Sequence, residues 1–163
     1  MTYRIEPITA ARAGDIAGWR HPPPYDTYDL GPNEEPHLLE PHRYRAVVEG
    51  DELVGCCCFG EDARVAGGDY SADALDVGWH MRPDLMGHGR GDGFVGAILA
   101  FAAAEYGPPM LRVTIATFNG RSRRVADKAG FVEIDRYVTH DGMEFAVLVS
   151  MGSGPIVLGG NGA

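Results

Sequence analysis

Glycines alternate at Gly87, Gly89 and Gly91 in the segment MRPDLMGHGRGDGF, between an extended run and a long apolar-patterned one. Without Cβ atoms such a backbone can turn so that successive N–H groups converge on one anion, and the start of a following helix adds its positive end. A pyrophosphate fits that description. No Lys-Ser/Thr pair follows the glycines, so this is not a P-loop, and their spacing departs from the dinucleotide-binding fingerprint. Cations gather around the same segment: His88 and Arg90 within it, and Arg121, Arg123, Arg124 and Lys128 further on. They point to a polyanionic ligand or, alternatively, to a solvated helix face. Just upstream, ALDVGWHM alternates with period two, which puts Asp76, Gly78 and His80 on one face of a strand and Leu75, Val77, Trp79 and Met81 on the other. Asp76 is a candidate base for proton transfer, or a structural partner for a nearby arginine. His80 is of a type that titrates near neutrality.

The elements that must position these residues can be read along the chain. Residues 2–8 read as a strand and 9–19 as a short helix; a proline-rich, aromatic stretch follows, HPPPYDTYDLGPNEEP. That stretch cannot be regular helix. It is either a stiff surface connection or a wall of a pocket, with Tyr25, Asp26, Tyr28 and Asp29 facing inward. Residues 43–49 and 52–59 form a hairpin about Gly50-Asp51. After a second loop, 74–81 is a strand closed by Pro83. The glycine segment leads into a helix from Gly89 to Tyr106, with Phe94, Ile98 and Phe101 on one face and Val95, Leu99 and Ala102 beside them. Then come a strand at 111–117, a helix at 119–129 capped by Asn119 and stopped by Gly130-Phe131, and strands at 131–138 and 144–150. The expected fold is α+β: one mixed central sheet of about seven strands flanked by helices on both faces. One domain over residues 1–151 and a Gly-rich tail over 152–163 are expected.

The bulk properties restrict the function. The chain has 163 residues, 45% of them hydrophobic, and a formal net charge of −9. That charge argues against nucleic-acid binding, which needs a basic face, and suits cationic partners such as amines. The longest apolar runs are too short to cross a membrane, and the first fifteen residues lack the pattern of a secretory signal, so a cytoplasmic protein is expected. Cys56, Cys57 and Cys58 are consecutive and would point to alternate faces of a strand. They make a poor metal cage and read as small buried hydrophobes.

Residues 74–138 resemble the core of the GCN5-related N-acetyltransferase (GNAT) superfamily. Its pyrophosphate loop, Gln/Arg-x-x-Gly-x-Gly/Ala, is matched by Met86-Gly87-His88-Gly89-Arg90-Gly91, with Met86 in place of the usual Gln or Arg. Its second element, an Asn-started helix ending Lys-x-Gly-Phe, is matched by Asn119 through Lys128-Ala129-Gly130-Phe131. The resemblance implies acetyl-CoA as cosubstrate, with no metal. The backbone of Trp79, His80 and Met81 would pair with the pantetheine arm where two central parallel strands splay apart. Amides from Gly87 to Asp92, including those of His88, Gly89, Arg90 and Gly91, would hold the pyrophosphate, and Asn119 would touch the cofactor. A primary amine, on a small molecule or a peptide N-terminus, would attack the thioester directly. Many members place a general-acid tyrosine where this chain has Ala126. Members that lack it often carry a serine where Ser122 stands, which makes Ser122 the candidate acid; Asp76 matches a position often acidic in the family. Two further readings follow: a noncatalytic acyl-CoA-binding module of the same fold, and a generic α+β binding domain. A homodimer is the expected oligomer, if one forms.

Overall fold

The computed structural model describes residues 2–31, 33–39 and 43–151; the expected tail over 152–163 lies outside them. Seven strands form one sheet: β1 (Tyr3–Pro7), β2 (Tyr44–Glu49), β3 (Glu52–Phe59), β4 (Leu75–Met81), β5 (Met110–Ala116), β6 (Val132–Val138) and β7 (Glu144–Met151). Their spatial order is β1-β2-β3-β4-β5-β7-β6. All neighbours are antiparallel except β4 and β5. That parallel pair is short: Leu75 lies opposite Leu111 and Asp76 opposite Arg112, and beyond them the two strands part.

Four helices cover the sheet: α1 (Ala10–Ala17), α2 (Glu35–Leu38), α3 (Gly91–Tyr106) and α4 (Gly120–Lys128). Because side chains alternate along a strand, the sheet buries a different set of residues on each face. Val47, Val54, Cys57 and Val77 pack with Phe94, Val95, Ile98 and Ala102 of α3 and with Ala126 and Phe131. Ala46, Val48, Leu53 and Cys56 pack instead on Ala13 and Ile16 of α1 and Leu38 of α2. The α+β sheet with helices on both faces is thus observed. The three cysteines are free and buried, and burial pushes the Cys58 thiol up to about 12, so it stays protonated and inert.

Local chemistry accounts for the helix limits. Thr9 accepts from the backbone N–H of Arg12 at the start of α1. Asn119 does the same for Ser122 at the start of α4, at 3.1 Å. At the other end of α4 the N–H of Phe131 donates to the carbonyl of Ala126 and that of Gly130 to Asp127, with Gly130 at φ 96°. This is the paired closure that a glycine after a helix permits. Two local features depart from the sequence expectation. The helix expected from Gly89 begins at Gly91, because Gly87 and Gly89 both adopt φ 77° and hold the chain in a turn. Within the proline-rich stretch the chain forms a 3₁₀ turn over Tyr25–Tyr28 and the short α2, which starts at the residue before Pro36.

Candidate active site

Where β4 and β5 part, a cleft of about 630 Å³ opens between them. Gly78 to Met81 form one side and Val113 to Ala116 the other. The glycine turn and the start of α4 close one end. Trp79, His80, Met81, Gly87, Gly89, Arg90, Gly91, Asp92, Asn119 and Ser122 all line it. Of the other residues expected in the site from sequence, His88, Asp76, Tyr25, Asp26 and Asp29 do not. His88 is exposed and borders a separate depression with Tyr3 and Leu85.

The glycine turn is tightly fitted to α4. A Cβ at Gly87 would lie 3.1 Å from the Arg121 guanidinium, and one at Gly91 would lie 2.8 Å from Cγ2 of Val125. Both positions therefore need glycine, one for its backbone angle and one for close approach. Arg121 lies over the Tyr25 ring at 5.2 Å. Arg121 and Arg124 line the cleft and have no ion-pair partner among the described residues, whereas Arg90 pairs with Glu49 at 3.3 Å. Asp92, which would repel a phosphate, reaches Lys128 at 3.4 Å across the gap between α3 and α4. The end of the cleft is thus electropositive and rich in turn amides, as a phosphate group requires.

Deeper in, Trp79 turns its indole toward α4 and donates from Nε1 to Ser122 Oγ at 2.9 Å. Ser122 is held as an acceptor on that side, which leaves its own proton free to donate elsewhere. Ala126 is wholly buried in the core and carries no hydroxyl. On the opposite face of β4, His80 is edge-on to Tyr28 with ring centroids 6.1 Å apart. Burial, reinforced by the nearby His21, pushes His80 down to about 4, so the ring is neutral at pH 7. The Tyr28 hydroxyl accepts from Asn119 Nδ2 at 3.0 Å, and desolvation raises its pKa. Phe118 stacks on Tyr28 and lies tilted against Tyr25. The proline-rich stretch therefore forms a wall of the cleft through Thr27 and Tyr28, while Asp26 points to solvent.

Asp76 is 1% exposed and its register partner Arg112 2%. Arg112 donates from Nε to one carboxylate oxygen at 2.7 Å and from Nη2 to the other at 2.8 Å. Arg64 adds a third bond at 2.9 Å. With both oxygens held by guanidinium groups and Asp76 itself outside the cleft lining, the structural alternative for Asp76 is the one its surroundings favour. Arg112 and Arg64 also stack on the ring of Tyr70, at 4.9 and 5.4 Å. The Tyr70 hydroxyl bonds to Thr114, Tyr137 and the backbone of Val65, which pins the loop before β4 across the sheet.

Sequence reasoning missed this anchor, and it missed His21, a further lining residue bonded to Asp29. His21 carried one signal, its place at the head of the aromatic stretch. Tyr70, Arg112 and Tyr137 carried none, because their side-chain hydrogen-bond partners lie 36 to 67 residues away.

A family model described as an acetyltransferase (GNAT) domain matches residues 9–132. Solved structures of similar fold include aminoglycoside acetyltransferase AAC(6')-Ib in complex with coenzyme A, at 14% identity and TM-score 0.73, covering 96% of this chain and 99% of that one. A GNAT-family acetyltransferase from Bacillus anthracis aligns at 13% identity and TM-score 0.73, covering 93% and 96%. A chimera of spermidine N-acetyltransferase SpeG from Vibrio cholerae and hSSAT aligns at 12% and 0.71, covering 94% and 97%. No curated protein matches the chain in sequence.

Proposed function

The chain belongs to the GNAT acetyltransferase family, and on that premise we propose that it moves an acetyl group from acetyl-CoA to a primary amine by direct attack in a ternary complex. The observation that carries this reading is the cleft at the split of β4 and β5, closed at one end by a turn with two left-handed glycines and by Arg121 and Arg124 of α4, which have no ion-pair partner among the described residues. When bound, acetyl-CoA supplies an acetyl thioester as electrophile. The amides from Gly87 to Asp92 receive the pyrophosphate, with Arg121 and Arg124 balancing its charge. The edge of β4 from Trp79 to Met81 offers backbone groups to the pantetheine arm, and a strand amide near His80 or Met81 stabilises the developing oxyanion. Asn119 orders this end by capping α4 while reaching Tyr28. Ser122, fixed by Trp79, protonates the departing thiolate.

The acceptor side is built from Tyr28, Val65, His80, Thr114, Met143 and Phe145. Among the described lining residues the carboxylates are Asp62, held by Arg43, and Asp92, held by Lys128. That wall suits an amine on an apolar or aromatic body better than a polycation. Acetyl-CoA should raise the melting temperature in proportion to RT ln(1 + [L]/Kd), and a panel of such amines should release free thiol, read with a thiol reagent. Binding of acetyl-CoA with no thiol release across the panel would favour a noncatalytic acyl-CoA-binding module. Absence of binding would overturn both. Cytoplasmic location and a two-fold dimer belong to the same reading, the dimer to be checked by sedimentation velocity.

A further inference from the structure

We propose that His21 is the general base of this site and Asp29 its positioning residue, an inference that rests on the acetyltransferase reading above. The two residues are eight apart in sequence, and the 3₁₀ turn over Tyr25–Tyr28 brings them together. One oxygen of Asp29 accepts from the backbone N–H of His21 at 2.8 Å and lies 2.7 Å from its Nδ1. The bonds from His21 hold the Asp29 carboxyl below the usual carboxylate range, so this oxygen is an acceptor only. Nδ1 must then carry the proton of the neutral ring, and Nε2 carries the lone pair. The His21 side chain is 6% exposed and lines the cleft. Its ring lies edge-on to Tyr28 at 6.3 Å, and Tyr28 in turn touches His80 and Asn119. The imidazole is therefore in the same wall as the strand residues that would flank the thioester.

The other bases near the cleft are unsuited, Asp92 because it sits at the phosphate end against Lys128. Asp76 has both oxygens on guanidinium groups, Asp62 is engaged by Arg43, and His80 binds a proton only near pH 4. The groups that face the His21 ring are Asp29, His80 and Tyr28, and Arg20 acts on Asp29. Nε2 takes one proton from the substrate ammonium: an N–H bond breaks, an Nε2–H bond forms, and the positive charge moves to an imidazolium that Asp29 stabilises. The freed nitrogen pair forms the C–N bond as the C–S bond breaks. A second N–H bond breaks as the amide forms, its proton passing through solvent to Ser122, which has given its own proton to the thiolate to form the S–H bond; the imidazolium returns the first proton to solvent.

The test uses His21→Gln and Asp29→Asn in the full chain. His21→Gln should lower kcat/KM about 100-fold, remove the acid limb of its pH profile, and leave the calorimetric Kd for acetyl-CoA within two-fold of wild type. Asp29→Asn should give a smaller loss with the acid limb displaced. Independently of turnover, ¹⁵N NMR of the wild-type ring should show the Nδ1–H tautomer, and Asp29→Asn should shift that balance. A His21→Gln enzyme with wild-type rate and acid limb, or a native Nε2–H tautomer, overturns the proposal while acetyl-CoA binding stands. Loss of acetyl-CoA binding by the wild type would sink the acetyltransferase reading instead.

Discussion

Asp76→Asn removes the negative charge from a buried pair and leaves the Arg112 guanidinium, 2% exposed, without a charged partner. Breaking a buried ion pair from one side costs about 3–5 kcal/mol, because the stranded charge stays desolvated. The amide still offers one oxygen, and Arg112 keeps its bond to the Ala72 carbonyl at 3.2 Å, which sets the expectation near the lower end, about 3 kcal/mol. In a chain of this size each kcal/mol moves Tm by roughly 2–4 °C, so the drop should be about 6–12 °C. Differential scanning calorimetry reads it directly. If Asp76 is structural, the variant assayed at a permissive temperature keeps its rate within about three-fold and its pH profile overlays that of wild type. Removal of a general base would instead cost about 10²–10⁴ in rate. A variant with wild-type Tm, a hundred-fold slower rate and no acid limb would refute the assignment outright.

Gly91→Ala places a Cβ 2.8 Å from Val125 Cγ2, so it should weaken acetyl-CoA binding about ten-fold by forcing α3 from α4; adding Val125→Ala should restore most of the affinity by calorimetry. Ser122→Ala should lower kcat about 100-fold while leaving the Kd for acetyl-CoA unchanged, and an unaffected kcat would remove Ser122 from the chemistry. His80 has a folded pKa of about 4 against 6.5 for the free side chain. The unfolded chain therefore binds more protons between those values, and the stability His80 contributes at neutral pH is lost as the pH falls through that window. The His80→Gln variant should show a flatter Tm against pH between about 6.5 and 4; an unchanged slope would contradict the buried neutral ring.

What could be read from sequence was what is local. The glycine turn, the Asn119 cap, the Gly130-Phe131 closure and the two faces of β4 each depend on a few adjacent residues and on fixed periodicities. The part of the cleft lining that lies on β4, the turn and α4 was legible for the same reason. His88 fell outside because alternate residues of a turn face different ways. The partner of Asp76 was open because it depends on which strand lies alongside β4, and pairing between distant strands leaves no local pattern. Tyr70 and Tyr137, joined by hydroxyls across 67 residues, are a second case. His21 was hidden differently: its partner is near in sequence, but the turn that joins them follows no helical or strand period.

The junction of β4 and β5 also has a mechanical meaning. Two blocks of sheet, one of four strands and one of three, are joined through Leu75–Leu111 and Asp76–Arg112, so the ion pair works as the pin of a pair of tongs. Each jaw runs on from that pin at about 3.3 Å per residue, so Met81 lies roughly 16 Å out, and a tilt of about 5° would move it by ~1.4 Å. A misplacement of about 1 Å can cost a hundred-fold in rate. The stiffness of one buried carboxylate–guanidinium pair therefore bears on the gauge of the jaws where the thioester and amine must meet.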